Sequence, residues 1–279
     1  MDDLLAMQRM VQRNWTPESH WHIGDLAWQR PSMAGRAVAL WTEPDAWASI
    51  SPNGELSFHA PPERIRTVLD WSDGHVRTVS AMSADAEMLG AEGFDEVEGP
   101  YFRHCLRDLD ERMPEPRLPD GYRLRAIRAG ETAARAAVHR AAWQPRRIGR
   151  LQVPPADPGD GESTMTTERY AEIAATWPYR STLDLLVEAE DGTLVASALG
   201  WLDEVNKAGL LEPVGVAPGH ARQGLGAAVS LACLHALHAA GATLAKVCPR
   251  GDGGYPVPRA LYHHIGFRDG ARTATYARR

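Results

Sequence analysis

The sequence predicts an α+β protein composed of two domains, and three observations lead to this prediction. A length of 279 residues exceeds what one small domain needs and suits two domains of ordinary size. Stretches with strand character alternate with helical stretches, and Glu190-Asp191-Gly192 is a good hairpin turn between two of the strands. Residues 113–121 are charged and contain three prolines, which is typical of a stiff linker.

The composition is that of an ordinary folded protein. Apolar residues make up 44% of the chain and charged residues 24%, which argues against disorder. The net charge of -6 provides no global basic field, so binding of nucleic acid is not the default interpretation. A local basic cluster at residues 146–150 is interpreted as a solvated loop, with contact to phosphate groups as the alternative.

The chain has no pattern typical of a metal centre, a disulfide framework or a membrane segment. The three cysteines follow no metal-binding spacing, and their odd number excludes a closed set of disulfides. His235 and His238 share a helix face, but no carboxylate or third histidine joins them, so no metal is expected. No apolar run approaches ~18 residues, and the first residues lack the regions of a signal peptide. These features predict a cytoplasmic protein with no membrane partner.

The first half is expected to contain both helices and strands. Helices are predicted at 1–20, 61–71 and 84–92. Strands are predicted at 21–28, 37–41, 47–51, 55–60, 75–80 and 97–109.

The second half is expected to begin with a strand, a helix and a loop. Strands are predicted at 122–127, 183–189, 194–202, 210–216, 243–248 and 273–276. Helices are predicted at 131–143, at 166–177, at 227–240 and in a short segment ending at 265. Residues 144–161 are rich in Pro, Gly and Arg and are predicted to form a loop.

The second half is organised around residues 210–227, where an apolar strand stops at Pro218-Gly219 and a basic turn leads into an Ala/Leu-rich helix. The first amides of a helix have no internal partner and lie at the positive end of its dipole, so this arrangement is typical of an anion site. Gly224 and Gly226 let the backbone close around a phosphate without a Cβ in the way. Ala227-Ala228 stands where a P-loop requires Lys and Ser or Thr, and the third glycine of a Rossmann turn is missing.

Two motifs occur in order in this half. The first consists of Val214, Val216, Pro218, Gly224, Leu225 and Gly226. The second, further along the chain, consists of Leu261, Tyr262, Gly266 and Phe267. Together they resemble the V-x-V-x-P and R/Q-x-x-G-x-G/A acyl-CoA loop and the L-Y-x-x-x-G-F helix ending of the GNAT superfamily of N-acyltransferases. The sequence departs from the pattern at Ala221, where the family usually has Arg or Gln.

The resemblance implies two tandem GNAT-like domains, each a mixed, mostly antiparallel twisted sheet flanked by helices in αβα layers. Residues 1–112 would be a degenerate copy, because residues 89–94 parallel 262–267 while no glycine follows Pro61 until Gly74. Residues 122–279 would be the catalytic domain. This arrangement is similar to that of double-domain acyltransferases of the mycothiol synthase type. An unrelated α+β accessory domain is the alternative for the first half.

The resemblance also implies acetyl-CoA, or another acyl-CoA, as co-substrate, with no metal. Backbone amides of the turn would hold its pyrophosphate, at Ala221, Arg222, Gln223, Gly224, Leu225, Gly226 and Ala227. The strand residues Val214, Gly215 and Val216 would bind the pantetheine arm, and the Val216 amide would polarise the thioester carbonyl. Pro213 and Gly215 inside a strand indicate a bulge or a close backbone approach.

Glu212 and Tyr262 are the candidate catalytic residues. Glu212 is a lone carboxylate in an apolar strand and would be the general base, with pairing to an arginine as the structural alternative. Tyr262 would donate a proton to the leaving thiolate, with a packed aromatic residue as the alternative. Substrate contacts are assigned to Trp143, Trp177, Asp203 and Asp252, and the segment 144–180 is expected to shape the acceptor pocket.

The function that follows is an acetyl-CoA-dependent N-acetyltransferase that transfers an acyl group to a primary amine of a small molecule by direct attack. One alternative is a GNAT-fold transferase whose donor is an aminoacyl-tRNA or a carrier-protein thioester, and nucleic acid is a partner only in that case. The other alternative is a non-catalytic binding module. A monomer or a homodimer is expected.

Overall fold

The computed structural model describes residues 3–157 and 161–279, which form an α+β fold around one continuous 12-stranded sheet. The α-helices are α1 (Asp3–Asn14), α2 (Ile23–Trp28), α3 (Pro62–Ser72), α4 (Ala86–Ala91), α5 (Thr132–Ala142), α6 (Pro145–Arg150), α7 (Thr167–Ala174), α8 (Leu225–Ala239) and α9 (Val257–His264). Short 3-10 turns lie at Arg30–Ser32, Ser83–Asp85, Ser181–Leu183 and Pro218–His220. Within the described residues, no helix is both long enough and apolar enough to cross a membrane.

The strands are β1 (Ala37–Thr42), β2 (Asp45–Ile50), β3 (Glu55–His59), β4 (Thr78–Met82), β5 (Phe94–Glu96), β6 (Arg103–Asp108), β7 (Tyr122–Ala126), β8 (Asp184–Ala189), β9 (Leu194–Asp203), β10 (Ala208–Val216), β11 (Leu244–Val247) and β12 (Arg268–Arg278). Their order in the sheet is β1-β2-β3-β4-β12-β6-β11-β10-β9-β8-β7, with β5 paired to β12. The pairs β3–β4 and β10–β11 are parallel and the other pairs antiparallel. The expected mixed, mostly antiparallel sheet is therefore confirmed.

The two halves exchange strands at the centre of the sheet. β6, from the first half, lies between β11 and β12. The last strand, β12, pairs with β6 over its first residues and with β4 and β5 over its last residues. A division into domains at 113–121 stays a prediction, and the sheet continues across it.

Helices cover both faces of the sheet, because alternate strand residues are apolar on each face. In the second half, Val229 and Leu237 of α8 pack on Val195 and Leu211 in one core. On the other face, Tyr170 and Ile173 of α7 join a core with Trp201 and Ala136. In the first half, α3 and α4 pack on β2–β4 in one core, while α1 and α2 contribute to another core with Trp47.

Four expected elements differ in the structure. The strand predicted at 97–109 begins only at Arg103, as β6. Residues 21–28 were predicted as a strand, but α2 begins at Ile23 after a capping box in which His22 and Asp25 satisfy each other's backbone amides. The predicted loop 144–161 contains α6, which Pro145 starts because its missing N–H is not needed at a first helical position. The last strand spans Arg268–Arg278, longer than the predicted 273–276, because it pairs with strands of both halves.

Candidate functional site

A cavity of about 750 Å³ opens where β10 and β11 separate. These parallel strands pair only from Ala208↔Leu244 to Leu210↔Lys246. The pairing of β10 with β9 shifts register between Leu211 and Val214. The bulge indicated by the sequence is therefore confirmed, and it contains Glu212 and Pro213. Both residues line the cavity.

The open edge of β10 faces this cavity. The Ala217 amide donates to Val195 O (2.8 Å), so it points towards β9. Because successive residues of a strand point their backbone groups to opposite sides, the N–H and C=O of Val216 point away from β9. Arg147 Nη1 donates to Val216 O (2.7 Å) and to Ala142 O (2.8 Å), which confirms this orientation. The Val216 peptide therefore lies on the cavity side of the strand.

Gly215 is explained by the approach of α5 to β10. A Cβ at this position would lie 2.6 Å from Ala142 Cβ and 3.3 Å from Trp143 Nε1, closer than packed side chains allow. The absence of that atom lets the end of α5 pack directly on the strand. This contact places Trp143 at the cavity.

The turn before α8 has the geometry of an anion site. Gly224, with φ of 81°, and Arg222, with φ of 64°, adopt left-handed conformations, and the helix begins at Leu225. Over the described parts of the chain, no acceptor is recorded for the backbone amides of residues 222–227. Residues 222–224 are exposed, and Gly226 lines the cavity. Six unpartnered amides at the N-terminus of a 15-residue helix can hold a diphosphate.

Glu212 lies in the cavity wall next to a second carboxyl group. Its side chain is within hydrogen-bonding reach of Asp25 on α2, and Trp201 Nε1 donates to its backbone oxygen (2.7 Å). Burial, and then the Asp25 carboxyl, raise the pKa of Glu212 well above its usual range. The neighbour of Glu212 is thus another acid, whereas the structural alternative assumed an arginine.

Tyr262 lies in the same cavity and is 8% exposed. Its ring packs edge-on against Phe267 with centroids 5.7 Å apart. Burial and the nearby Glu212 carboxyl raise the pKa of its phenol, so the phenol carries its proton at neutral pH. Cys248 also lines the cavity, and burial raises the pKa of its thiol.

An aromatic wall forms one side of the cavity, from Trp28, His139 and Trp143. The ring of His139 is 5.9 Å from that of Trp143 in a stacked arrangement and 5.3 Å from that of Trp28. Burial and the neighbouring Arg135 and Arg140 lower the pKa of His139 to about 3, so its imidazole is neutral. Trp143 was predicted at the site, and the structure brings it there.

The other predicted substrate residues lie elsewhere. Trp177 packs under α1, with the Arg9 guanidinium 4.2 Å above its ring. Asp203 is fully buried and accepts hydrogen bonds from Gln12 Nε2 (2.9 Å) and from the turn that follows it. Asp252 accepts from the Arg250 guanidinium and the Gly254 amide (2.9 Å), and only its partner Arg250 lines the cavity. These side chains are already engaged by their own neighbours.

Sequence reasoning missed Asp25, Trp28 and His139. Asp25 and Trp28 lie on α2, which was predicted as a strand of the first half, so nothing assigned them to the second half. The spacing of His22 and Asp25 was the available signal, because a side chain that caps a helix three residues before an acid is a capping-box pattern. His139 belongs to a helix that was predicted correctly, but its orientation towards the cavity depends on packing.

The fold was compared with known proteins. No protein-family model matches the sequence, and no curated protein matches it. A GCN5-related N-acetyltransferase from Sphaerobacter thermophilus is 18% identical with a TM-score of 0.62, over 98% of this chain and 90% of that one. A tandem GNAT protein from the clavulanic acid biosynthesis pathway is 15% identical with a TM-score of 0.61, over 98% and 92%.

A third solved structure agrees with these two. An acetyltransferase of the GNAT family from Colwellia psychrerythraea is 12% identical with a TM-score of 0.61, over 100% of this chain and 98% of that one. The likeness at these identities concerns the fold. The chain has the fold of GCN5-related N-acetyltransferases along its whole length.

Proposed function

We propose that this protein is an acyl-CoA-dependent N-acyltransferase, most simply an acetyltransferase, that acylates a primary amine of a small molecule. One observation carries the proposal. A single cavity joins the first turn of α8, the open edge of β10 and the side chains of Glu212 and Tyr262. Acyl transfer needs a held donor, a polarised carbonyl, a base and an acid, and this cavity offers a candidate for each.

The donor would be held by backbone groups. The amides of residues 222–227 suit the CoA pyrophosphate, because they have no acceptor within the described chain and lie at a positive helix end. Since the binding groups are amides, Ala221 removes a side-chain contact from the family pattern and leaves the anion site intact. Val214, Gly215 and Val216 line the path between this turn and Glu212.

The chemical step would be direct attack by the amine. Glu212 accepts a proton from the substrate ammonium, and the free amine attacks the thioester carbonyl, whose oxygen is polarised by the Val216 amide. The new C–N bond forms, the C–S bond breaks, and Tyr262 donates its proton to the departing thiolate. The attacking nitrogen loses its second proton to the Tyr262 phenolate as the amide forms, and Glu212 releases the proton of the ammonium to solvent. The raised pKa of Glu212 favours proton uptake, and the raised pKa of Tyr262 keeps its phenol protonated until the thiolate appears.

The acceptor would meet the aromatic wall of Trp28, His139 and Trp143. A neutral imidazole between two indoles offers flat apolar surface and no positive charge. Phe102 also lines the cavity and is 49% exposed. This surface suits an amine attached to an apolar or aromatic body.

We also propose that residues 1–112 and 122–279 are tandem copies of one fold. The run β2-β3-β4-β12 has antiparallel, parallel and antiparallel pairs in turn, as does the run β9-β10-β11-β6. In the first copy, α3 takes the place of α8 and begins at Pro62, which has no amide hydrogen. The first copy therefore lacks the anion turn.

Two alternatives remain as outcomes of the test. A transferase with an aminoacyl-tRNA donor would use the basic cluster at 146–150, but Arg147 is occupied with backbone oxygens of Ala142 and Val216. A non-catalytic module would have no need for Glu212 and Tyr262 in one cavity with an anion turn.

Thermal denaturation with acetyl-CoA tests the donor site. A ligand at a hundred times its Kd adds about 2.7 kcal/mol of stability, so we expect a clear rise in Tm for the native protein. Gly224→Asp should abolish this rise, because it places a negative charge and a strained residue at φ of 81° in the anion turn. Gly219→Asp is the matched control, since a Cβ there meets nothing within 4 Å.

Each outcome has a defined meaning. A rise in Tm for the native protein and for Gly219→Asp, but not for Gly224→Asp, supports the proposal. Absence of any rise in the native protein contradicts it, and tight tRNA binding in that case would favour the aminoacyl-tRNA alternative. A panel of primary amines assayed for release of CoA thiol then separates an enzyme from a binding module.

A further inference from the structure

The two halves meet beside the candidate base, on α2. His22 caps this helix: the Gly24 amide donates to His22 Nδ1 (3.1 Å), and the His22 amide donates to the Asp25 carboxylate (2.6 Å). Asp25 is 9% exposed, so its carboxyl group is taken out of solvent. Its side chain is within hydrogen-bonding reach of Glu212 on β10, from the other half of the chain.

The position of Asp25 is fixed by contacts of α2 with β9 and β10. A Cβ at Gly24 would lie 2.4 Å from Trp201 Cβ and Cγ, so only glycine lets the helix pack this closely. Trp201 in turn donates from Nε1 to Glu212 O (2.7 Å). His22 Nε2 lies 3.3 Å from Ala208 O at the start of β10. The helix bearing Asp25 and the strand bearing Glu212 are thus held together on both sides of the carboxyl pair.

We propose that Asp25 is a positioning residue for Glu212, and that the two carboxyl groups hold one proton between them when no substrate is bound. The inference rests on the proposed function, because it assumes that Glu212 is the base. It means that the first half supplies part of the catalytic centre of the second half.

The location of the proton follows from the surrounding donors. Two neighbouring carboxylates that are largely withdrawn from solvent repel each other, so one of them stays protonated. The Asp25 carboxyl already serves as an acceptor for the His22 amide (2.6 Å). The proton therefore resides on Glu212 and is donated towards Asp25. Glu212 releases this proton to solvent when the substrate ammonium binds, and only then accepts a proton from that ammonium.

Other ionisable groups face the pair from each neighbouring element. They are His22 before α2, Lys246 on β11, Cys248 after β11 and Tyr262 on α9, whereas Asp203 on β9 acts on His22. The ammonium of Lys246 is held by the carbonyls of Ser19 and His20, and its positive charge favours one ionised carboxyl in the pair. Burial lowers the pKa of His22 to about 4, so His22 adds no charge at neutral pH.

The test is the pH dependence of kcat/KM with one amine, in the native protein and in Asp25→Asn. The amide of Asn donates to the Glu212 carboxylate and removes the negative neighbour, so proton affinity at Glu212 falls. We expect the acidic limb of the profile to move to lower pH by about one unit or more. A merely structural role would lower activity at every pH without moving this limb. Asp203→Asn is the matched control, because this buried acid also joins the two halves through Gln12. The acidic limb of the pH profile of this variant should stay where it is in the native protein.

A second measurement depends neither on activity nor on the folding of Asp25→Asn. In native protein labelled with ¹³C at glutamate carboxyls, the Glu212 resonance is assigned by its absence in Glu212→Gln. Titration of this resonance above the usual range of glutamate supports the pairing, and titration in the usual range overturns it. An unmoved acidic limb in folded Asp25→Asn also overturns it. Full activity of Glu212→Gln would instead refute the proposed role of Glu212.

Discussion

At the scale of single residues, Glu212 and Tyr262 lie in the same cavity and are proposed to have opposite roles, as proton acceptor and proton donor. Burial raises the pKa of both groups. For a carboxyl group this increases its strength as a base, whereas for a phenol it ensures that the proton is present to be donated. Withdrawal from solvent therefore prepares both a proton acceptor and a proton donor.

Removing the hydroxyl of Tyr262 tests its role as the acid. We expect Tyr262→Phe to lower kcat by ~10²–10⁴-fold, the usual contribution of a positioned acid or base. The ring packing on Phe267 is retained, so the acetyl-CoA-dependent rise in Tm should stay as in the native protein. Tyr101→Phe, outside the cavity, serves as the control. Unchanged turnover in Tyr262→Phe would remove this tyrosine from the mechanism.

Buried neutral histidines predict a loss of stability in acid. Burial, together with the nearby Lys246 and His20, lowers the pKa of His104 to about 2. The folded state then binds fewer protons than the unfolded state below pH ~6.5, the ordinary histidine value, so the free energy of unfolding falls as the pH drops. Each pH unit below the ordinary histidine value lowers the free energy of unfolding by about 1.4 kcal/mol. One such histidine therefore lowers it by about 2 kcal/mol at pH 5.

Urea denaturation at pH 7 and pH 5 measures this loss. In His104→Gln the difference between the two pH values should shrink by about 2 kcal/mol relative to the native protein. His264→Gln changes an exposed histidine and should leave the difference as it is in the native protein. If the free energy of unfolding decreased equally between pH 7 and pH 5 in all three proteins, His104 would not contribute to the loss of stability.

At the scale of elements, α5 is attached to β8 by an ion pair that is fully buried. Arg135 Nε donates to Asp184 Oδ1 (2.8 Å), and both side chains are 0% exposed. Tyr170 and Tyr179 also donate their hydroxyls to Asp184 Oδ2. Because α5 carries His139 and ends beside Trp143, this pair helps to hold the aromatic wall against the sheet.

Breaking the pair should be costly. Asp184→Asn leaves the guanidinium without its counter-charge in the core, and we expect a loss of about 3–5 kcal/mol in the free energy of unfolding. Asp73→Asn removes a partner of Arg278 in an exposed pair and should cost at most about 1 kcal/mol. Chemical denaturation of the two variants beside the native protein measures both values. A small loss in Asp184→Asn would mean that the site relaxes or admits water.

At the scale of the whole molecule, the strand exchange predicts that the second half does not fold alone. A fragment of residues 113–279 lacks β6, so β11 and the first part of β12 lose their shared neighbour. The last part of β12 loses β4 and β5. We expect this fragment to unfold without cooperativity and to show no rise in Tm with acetyl-CoA.

Adding the first half separately provides the control. Production of residues 1–112 and 113–279 together should restore a cooperative transition, because the exchanged strands are then present. A fragment of 113–279 that unfolds cooperatively and responds to acetyl-CoA by itself would contradict the prediction. It would also show that Asp25 is dispensable for donor binding.

The sequence by itself determined the features that depend on short stretches of chain. These are the irregularity of the strand at Pro213 and Gly215, the glycine turn at Gly224 and Gly226, the helix predicted at 227–240, which begins at Leu225, and the short helix bearing Tyr262. Local backbone preferences and hydrophobic periodicity specify such features, so they can be read without knowing the neighbours. A six-residue apolar segment such as α2 is too short for periodicity to separate helix from strand, which explains the error there.

Only the tertiary structure decided which distant residues meet. It brought Asp25 to Glu212, placed Trp28 and His139 beside Trp143, and engaged Trp177 and Asp203 with α1 instead of with the cavity. It also exchanged β6 and β12 between the halves. These contacts depend on strand order and packing across the whole chain, and the same local pattern is compatible with many such arrangements.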